Sequence, residues 1–281
     1  MHVGHEPLQA ASDWHWGALV IGICLVSIVL YITAMYISGL RGKPVPLYRL
    51  ALWSAAMLSA AVSLAGPLAE KAHADFAAHM LAHLLLGMVA PLLAALAAPF
   101  SLLYRTISTN AARKLACTLK SRPLRILGDP LLASFLHVGG LWGLYATPVY
   151  EAMHHNLLLH LFIHAHFFIA GYLYTVAIIP IDPTPHRTRF AYRAAVLLLA
   201  SAGHSILAKH LYAHPPKGVP LDQATAGSQL MYYGGDAVGA AMIILFCYQW
   251  YRAARPRHVA PPSQSAGSNK RRCMLTHQLP D

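Results

Sequence analysis

Long apolar runs interrupted by histidine rather than by charge limit what this chain can fold into. Residues 79–91, HMLAHLLLGMVAP, carry leucine, alanine, valine and methionine, no formal charge, and two histidines one helical turn apart. A run of 18 or more apolar residues reads as a membrane span, because about 20 helical residues are needed to cross a bilayer core of ~30 Å. Such runs recur through the 281 residues, 57% of which are hydrophobic and only 11% charged, against roughly 25% charged in soluble domains. Inside lipid every backbone N–H and C=O must be satisfied within the chain, so spans of this kind are helices. Seven are expected, near 17–38, 50–69, 76–98, 131–149, 156–180, 191–212 and 229–251. The expected fold is all-α, a polytopic seven-transmembrane-helix bundle.

Charge distribution orients that bundle. The net charge is +11, which in a soluble protein suggests nucleic acid, but the positions of the charges give a better account. With seven spans, 18 of the 21 Lys and Arg residues fall in loops 39–49, 99–130 and 181–193 and in the tail, on one side; only Lys71, Lys209 and Lys217 fall on the other. The positive-inside rule then sets the N-terminus outside and the C-terminus in the cytoplasm. The expected organisation is a short outer segment 1–16, a membrane domain 17–252 and a disordered basic cytoplasmic tail 253–281, whose Pro, Ser and Arg cannot build a core. The first apolar run starts too far along, without a basic lead, for a signal peptide. Cys24, Cys117, Cys247 and Cys273 form no CxxC pair, so neither a structural disulfide nor a cysteine metal site is expected.

The 18 histidines matter through their depth. At about 1.5 Å rise per residue, His79, His83, His160, His164, His204 and Asp236 lie roughly 5–12 Å below the outer ends of four spans. Spacing of i,i+4 sets His79 with His83, and His160 with His164, on common helical faces. Two helices each offering two imidazoles at one depth is how a bundle builds a metal site in its core. The alternative for any one of them is an interhelical hydrogen bond contributing about 0.6 kcal/mol. Asp236, costly at mid-membrane, is expected to face the bundle, orienting an imidazole or pairing with His204.

Imidazole suits copper, zinc, iron and nickel; the thioethers of Met80, Met153 and Met231 tilt the choice to Cu(I), although methionine is also ordinary membrane filler. Met80, Met153, His154 and His155 form a candidate route by which metal reaches the site, or else are solvated loop and packing residues. Bis-histidine haem, with His83 opposed to His160 or His164, is the competing cofactor. His137 is placed near the cytoplasmic end of its span, and His166 on the face opposite His164. Pro91 and Pro99 are expected to bend the third span below His83. Trp142, Tyr145 and Tyr150 are expected in the outer aromatic belt. No phosphate-binding glycine loop, Ser/His/Asp triad or HExxH is present.

Four stretches carry a family resemblance: HMLAHLLLGMVAPLLAALAAP (79–99), LYATPVYEAMHHNLLLHLFIHAHFFIAGYLY (144–174), GHSILAKHLY (203–212) and PLDQATAGSQLMYYGGD (220–236). Together they resemble the CtaG family of multi-span bacterial cytochrome c oxidase assembly proteins. The chain departs from that pattern at Ala82, Leu159 and Tyr232, where relatives tend to carry Gln, Glu and Trp. The resemblance implies a bacterial inner-membrane protein, not an enzyme, that helps mature a haem–copper oxidase by supplying or inserting copper. Its implied partners are oxidase subunits, a periplasmic copper chaperone and the lipid bilayer, without nucleic acid. Three other functions stay open on the residues alone: a haem-binding electron-transfer protein, a copper or proton transporter, and a metal-free scaffold for oxidase subunits.

Overall fold

The computed structural model describes residues 6–183 and 187–255, with side chains from Trp16 onward except that of His154. The basic tail beyond Arg255 and the first five residues lie outside the described residues. The described chain is helical, without strands. Six helices are long and apolar enough to cross a membrane: Trp16–Leu40, Leu47–Leu64, Phe76–Thr106, Leu157–Ile178, Phe190–Ala213 and Leu221–Ala254. Their outer faces display large apolar side chains, among them Leu30, Phe162, Leu199 and Ile244. Water would penalise that surface and lipid does not. The architecture is that of a multi-pass membrane protein.

Helix α1 (Glu6–Leu40) pairs with α2 (Leu47–Leu64), and a short α3 (Pro67–Ala72) leads into the third span. That span is jointed: α4 (Phe76–Leu84), a π-helical turn at Leu85–Val89, α5 (Ala90–Ala97) and α6 (Pro99–Thr106). The joints follow from its prolines. Pro91 has no N–H and frees a carbonyl one turn back, and the ladder there widens into the π turn. At Pro99 the helix breaks outright: Ala98 takes left-handed φ 53°, and the N-terminus of α6 is capped by Asp182, which accepts from the N–H groups of Phe100 (3.1 Å) and Ser101 (2.7 Å). The start of α4 is capped by Asp75, which accepts from Ala77 and Ala78.

Next come α7 (Thr109–Leu119) and α8 (Arg122–Leu127), which carry the basic loop. The expected fourth span is shorter than the sequence suggests: α9 (Pro130–Ser134), a second π turn at Phe135–Gly139, and α10 (Gly140–Tyr145). Pro130 opens it on an Asp129 cap, and it ends before Pro148. It still reaches between both ends of α13 (Phe190–Ala213). Tyr192 donates to Asp129 at one end (3.0 Å), and Trp142 packs on His210 at the other (ring centroids 5.6 Å). The short α11 (Val149–His155), then α12 (Leu157–Ile178) and α14 (Leu221–Ala254) complete the set. The described Cys24, Cys117 and Cys247 are free thiols.

Two apolar clusters fill the bundle. One gathers Phe76, Met80, Leu141, Tyr145, Ile163, Phe167, Leu207, Leu211 and Met231. The other gathers Leu92, Ala133, Tyr174, Ile178, Val196, Leu197, Met242 and Phe246. Along the third span, α9–α10, α12, α13 and α14, residues of the first cluster occupy one end and residues of the second the other. The level between them holds His83, His137, Gly171, His204 and Gly235.

Candidate functional site

The paired spacings on α4 and α12 set the two imidazoles of each pair on a common side of their helix. His79 and His83 are both buried and both meet Tyr145 edge-on, at centroid distances of 6.1 and 6.2 Å. His79 Nε2 shares a hydrogen bond with the Tyr145 hydroxyl at 3.1 Å, the donor depending on the imidazole tautomer. His83 also packs against Phe167 at 4.7 Å. On α12, the rings of His160 and His164 lie 4.3 Å apart, and His164 Nδ1 donates to the His160 carbonyl at 2.8 Å. His73, at the C-terminal end of α3, stacks on His160 at 5.5 Å.

The two pairs have different neighbours. The α4 pair is enclosed by Phe76, Tyr145, Tyr150 and Phe167. The α12 pair, half-buried, belongs with His73 at the end of α3. Among the described residues no group of three or more His, Cys, Asp or Glu is gathered tightly enough to hold a metal ion. The ring contacts fall into two histidine groups, His79/His83 with Tyr145 and His160/His164 with His73. Equal depth on two helices does not settle facing, and Tyr145 and Phe167 occupy the space beside His83.

Tyr145 and Tyr150 correct a second expectation. They were expected to anchor the lipid interface; instead Tyr145 is buried and Tyr150 half-buried around His79. Burial holds the Tyr150 hydroxyl in its neutral form, pushing its pKa up to about 12. Met80 and Met153 are likewise packed inside the apolar cluster, at 0% and 2% exposure, so they are not displayed along an outer route. His155 is exposed, and the side chain of His154 lies outside the described residues.

Asp236 differs from expectation too. It was to face the bundle and pair with His204. Its side chain is exposed and accepts from Ser205 Oγ at 3.1 Å. The inward position is taken by Gly235: a Cβ there would lie 2.2 Å from His204 Cε1. The next residue along the helix, about 100° further round at 3.6 residues per turn, points to the side. His204 is thus locked against the α14 backbone, and Asp236 sits at the rim beside it.

His137 is the residue the sequence reading undervalued. A span drawn over 131–149 puts it near one end, but the helix actually runs 130–145, and its π turn carries His137 at mid-depth. It is buried, stacking on Tyr174 at 5.2 Å. His166 turns away from His164, as its two-residue offset suggests, and its Nε2 donates to the Leu136 carbonyl at 3.1 Å. His137, His204 and Asp236 line one cavity of about 230 Å³ between α9–α10, α13 and α14, together with Met88, Tyr174 and Met242. Gly140 lets the α12 side chain of His166 approach the helix closely.

A family model described as cytochrome c oxidase caa3 assembly factor matches residues 29–253. Relatives include uncharacterized proteins of Mycobacterium bovis and Mycobacterium tuberculosis, each 27% identical over 204 residues. Another, from Mycobacterium leprae, is 25% identical over 199 residues. The aligned region is 70% of this chain but 31% of the first two relatives, and 68% and 30% for the third. The chain therefore spans under a third of the length of the curated relatives it matches. No solved structure matches it.

Proposed function

The chain belongs to the cytochrome c oxidase caa3 assembly factor family, and we propose that it serves oxidase maturation by handling copper from the outer face of a bacterial inner membrane. The observation that carries this reading is the reach of the family match, which runs from the middle of the first long helix to the last turn of the sixth. Copper is cargo in this role, passed to an oxidase subunit, and the protein is not a catalyst.

The orientation proposed is N-terminus outside, C-terminus cytoplasmic, with α9–α10 as a seventh, short span. Its 16 residues rise about 24 Å at 1.5 Å each, somewhat less than the ~30 Å core. Contacts to both ends of α13 support a crossing. An odd number of spans keeps Arg41, Arg105, Arg125 and Arg189 on one side. Arg41 donates to the Arg105 carbonyl at 2.9 Å, which joins two of those basic loops.

On the opposite side, His73, His160 and His164 present half-buried to exposed imidazoles at the bundle end. Here a soft or borderline ion arriving from outside meets nitrogen donors before it meets the closed aromatic shell around His79 and His83. Oxidase subunits and a periplasmic copper donor are the partners this implies.

The test is deletion of the gene in a host that makes a caa3-type oxidase, followed by complementation. Expected is loss of assembled oxidase in the deletion strain, restoration by the wild-type chain, and partial restoration by His160→Ala/His164→Ala that improves with added copper. Oxidase assembled to wild-type level without the protein would refute the role. A purified protein with a Soret band would favour the haem-binding alternative. Against that alternative, Tyr145 and Phe167 already close on the His83 ring.

A further inference from the structure

The level between the two apolar clusters contains three imidazoles with an unanswered nitrogen. His83 Nε2, His137 Nδ1 and His204 Nε2 are each buried without a hydrogen-bond partner. Buried polar groups are nearly always satisfied, and each exception calls for an explanation. Two of the three share a space: His137 (2% exposed) and His204 (4%) both line the cavity of about 230 Å³. Two thioethers line it as well, those of Met88 and Met242.

The backbone around this cavity is irregular in a matching way. Met88 lies in the π turn of the third span, and His137 lies in the π turn between α9 and α10. The described chain has two π turns, and each delivers a donor to the same cavity. Such turns persist at functional sites because they re-aim side chains at the expense of regular hydrogen bonding.

We propose that this cavity is a Cu(I) site, with His137 and His204 supplying imidazole nitrogen and Met88 or Met242 supplying a thioether sulfur. The donor set decides the class. Two imidazoles and a neutral sulfur suit a soft cation content with few ligands. Structural Zn²⁺ takes four ligands from Cys, His and carboxylate, and among the described residues no three such groups converge. Ca²⁺ and Mg²⁺ require a cage of oxygens, whereas this lining is mainly apolar. Asp236, at the rim, borders the same cavity. Binding needs no redox step. The choice of copper rests in part on the proposed role in copper handling, and the cavity is separate from the His73/His160/His164 group.

The experiment is titration of the purified full chain in detergent, under reducing conditions, with Cu(I) in competition with a chromophoric Cu(I) chelator. The variants are His137→Ala/His204→Ala, His204→Gln and Met88→Leu/Met242→Leu, with His160→Ala/His164→Ala as the outer comparison. Expected is loss of one bound copper per chain in the His137/His204 variant and retention of that copper in the His160/His164 variant. Copper-edge absorption should show nitrogen and sulfur neighbours, the sulfur vanishing in the Met88/Met242 variant. Wild-type stoichiometry and affinity in the His137/His204 variant would overturn the site. Should that variant not fold, His204→Gln and the sulfur signal decide, and a wild-type spectrum without sulfur overturns it. Zn²⁺ bound with the same dependence on His137 and His204 overturns the metal class. Copper kept by the cavity variants leaves the assembly role standing. Cavity copper lost while oxidase assembly stays normal upholds the site and counts against copper delivery.

Discussion

Substituting Gly171 by alanine tests the packing that sets α12 against the third span. Gly171 is buried on α12 where that helix crosses the π turn of the third span. Pro91 lacks an N–H, so the Gly87 carbonyl four residues before it has no α-helical donor from that position. A Cβ on residue 171 would stand 2.1 Å from that Gly87 oxygen, 3.1 Å from Pro91 Cγ and 3.2 Å from the Gly87 carbonyl carbon. Carbon and carbonyl oxygen approach no closer than roughly 3.3 Å, so the helices must part by about 1 Å. The obstacle is backbone and cannot rotate away. A gap of that size forfeits about a quarter to a half of the dispersion well along the crossing, and overpacking alone costs about 1–3 kcal/mol. The expected loss for Gly171→Ala is about 3 kcal/mol, on the order of a hundredfold in the folded-to-unfolded ratio. Gly143→Ala is the control, because nothing lies within 4 Å of the added carbon. It should be neutral or stabilising by up to ~1 kcal/mol. Equilibrium unfolding of the purified protein in mixed detergent, followed by circular dichroism, measures both. A Gly171→Ala variant within about 0.5 kcal/mol of wild type would refute the close crossing.

Other outcomes follow from single contacts. Tyr145→Phe removes the hydroxyl that meets His79 Nε2 and should cost about 0.6 kcal/mol, the usual value of a hydrogen bond inside a membrane bundle, in the same unfolding assay. Ala98→Gly relieves a left-handed backbone and should stabilise by about 1 kcal/mol, whereas Asp182→Ala uncaps α6 and should destabilise by about 1–2 kcal/mol. Tyr150 has its pKa raised by burial to about 12, above the ordinary ~10 of an unfolded chain. Its contribution is therefore complete below pH ~10 and fades as pH rises towards 12, so alkaline unfolding monitored at 295 nm should be shallower in Tyr150→Phe.

Where the sequence reading succeeded and failed has a physical pattern. Apolar runs reflect a solvent, lipid, that acts on each segment independently. Spacing of i,i+4 likewise acts within one helix, and the His79/His83 and His160/His164 pairs do sit together. Facing between helices is a different quantity. Tyr145 looked like an interface anchor because it lies near the end of an expected span, yet Phe76, His79 and His83 surround it. His137 looked peripheral because hydropathy drew its helix too long.

By itself the sequence determined that this is an all-helical membrane chain, that it carries ionisable groups at depth, and which residues share a face of each helix. The period of a helix and the hydrophobicity of its side chains are local properties. Only the tertiary structure decided which imidazoles meet. That choice was made by Gly171 against Gly87, Gly235 against His204 and the two π turns, because helix rotation and approach depend on where a neighbour leaves room.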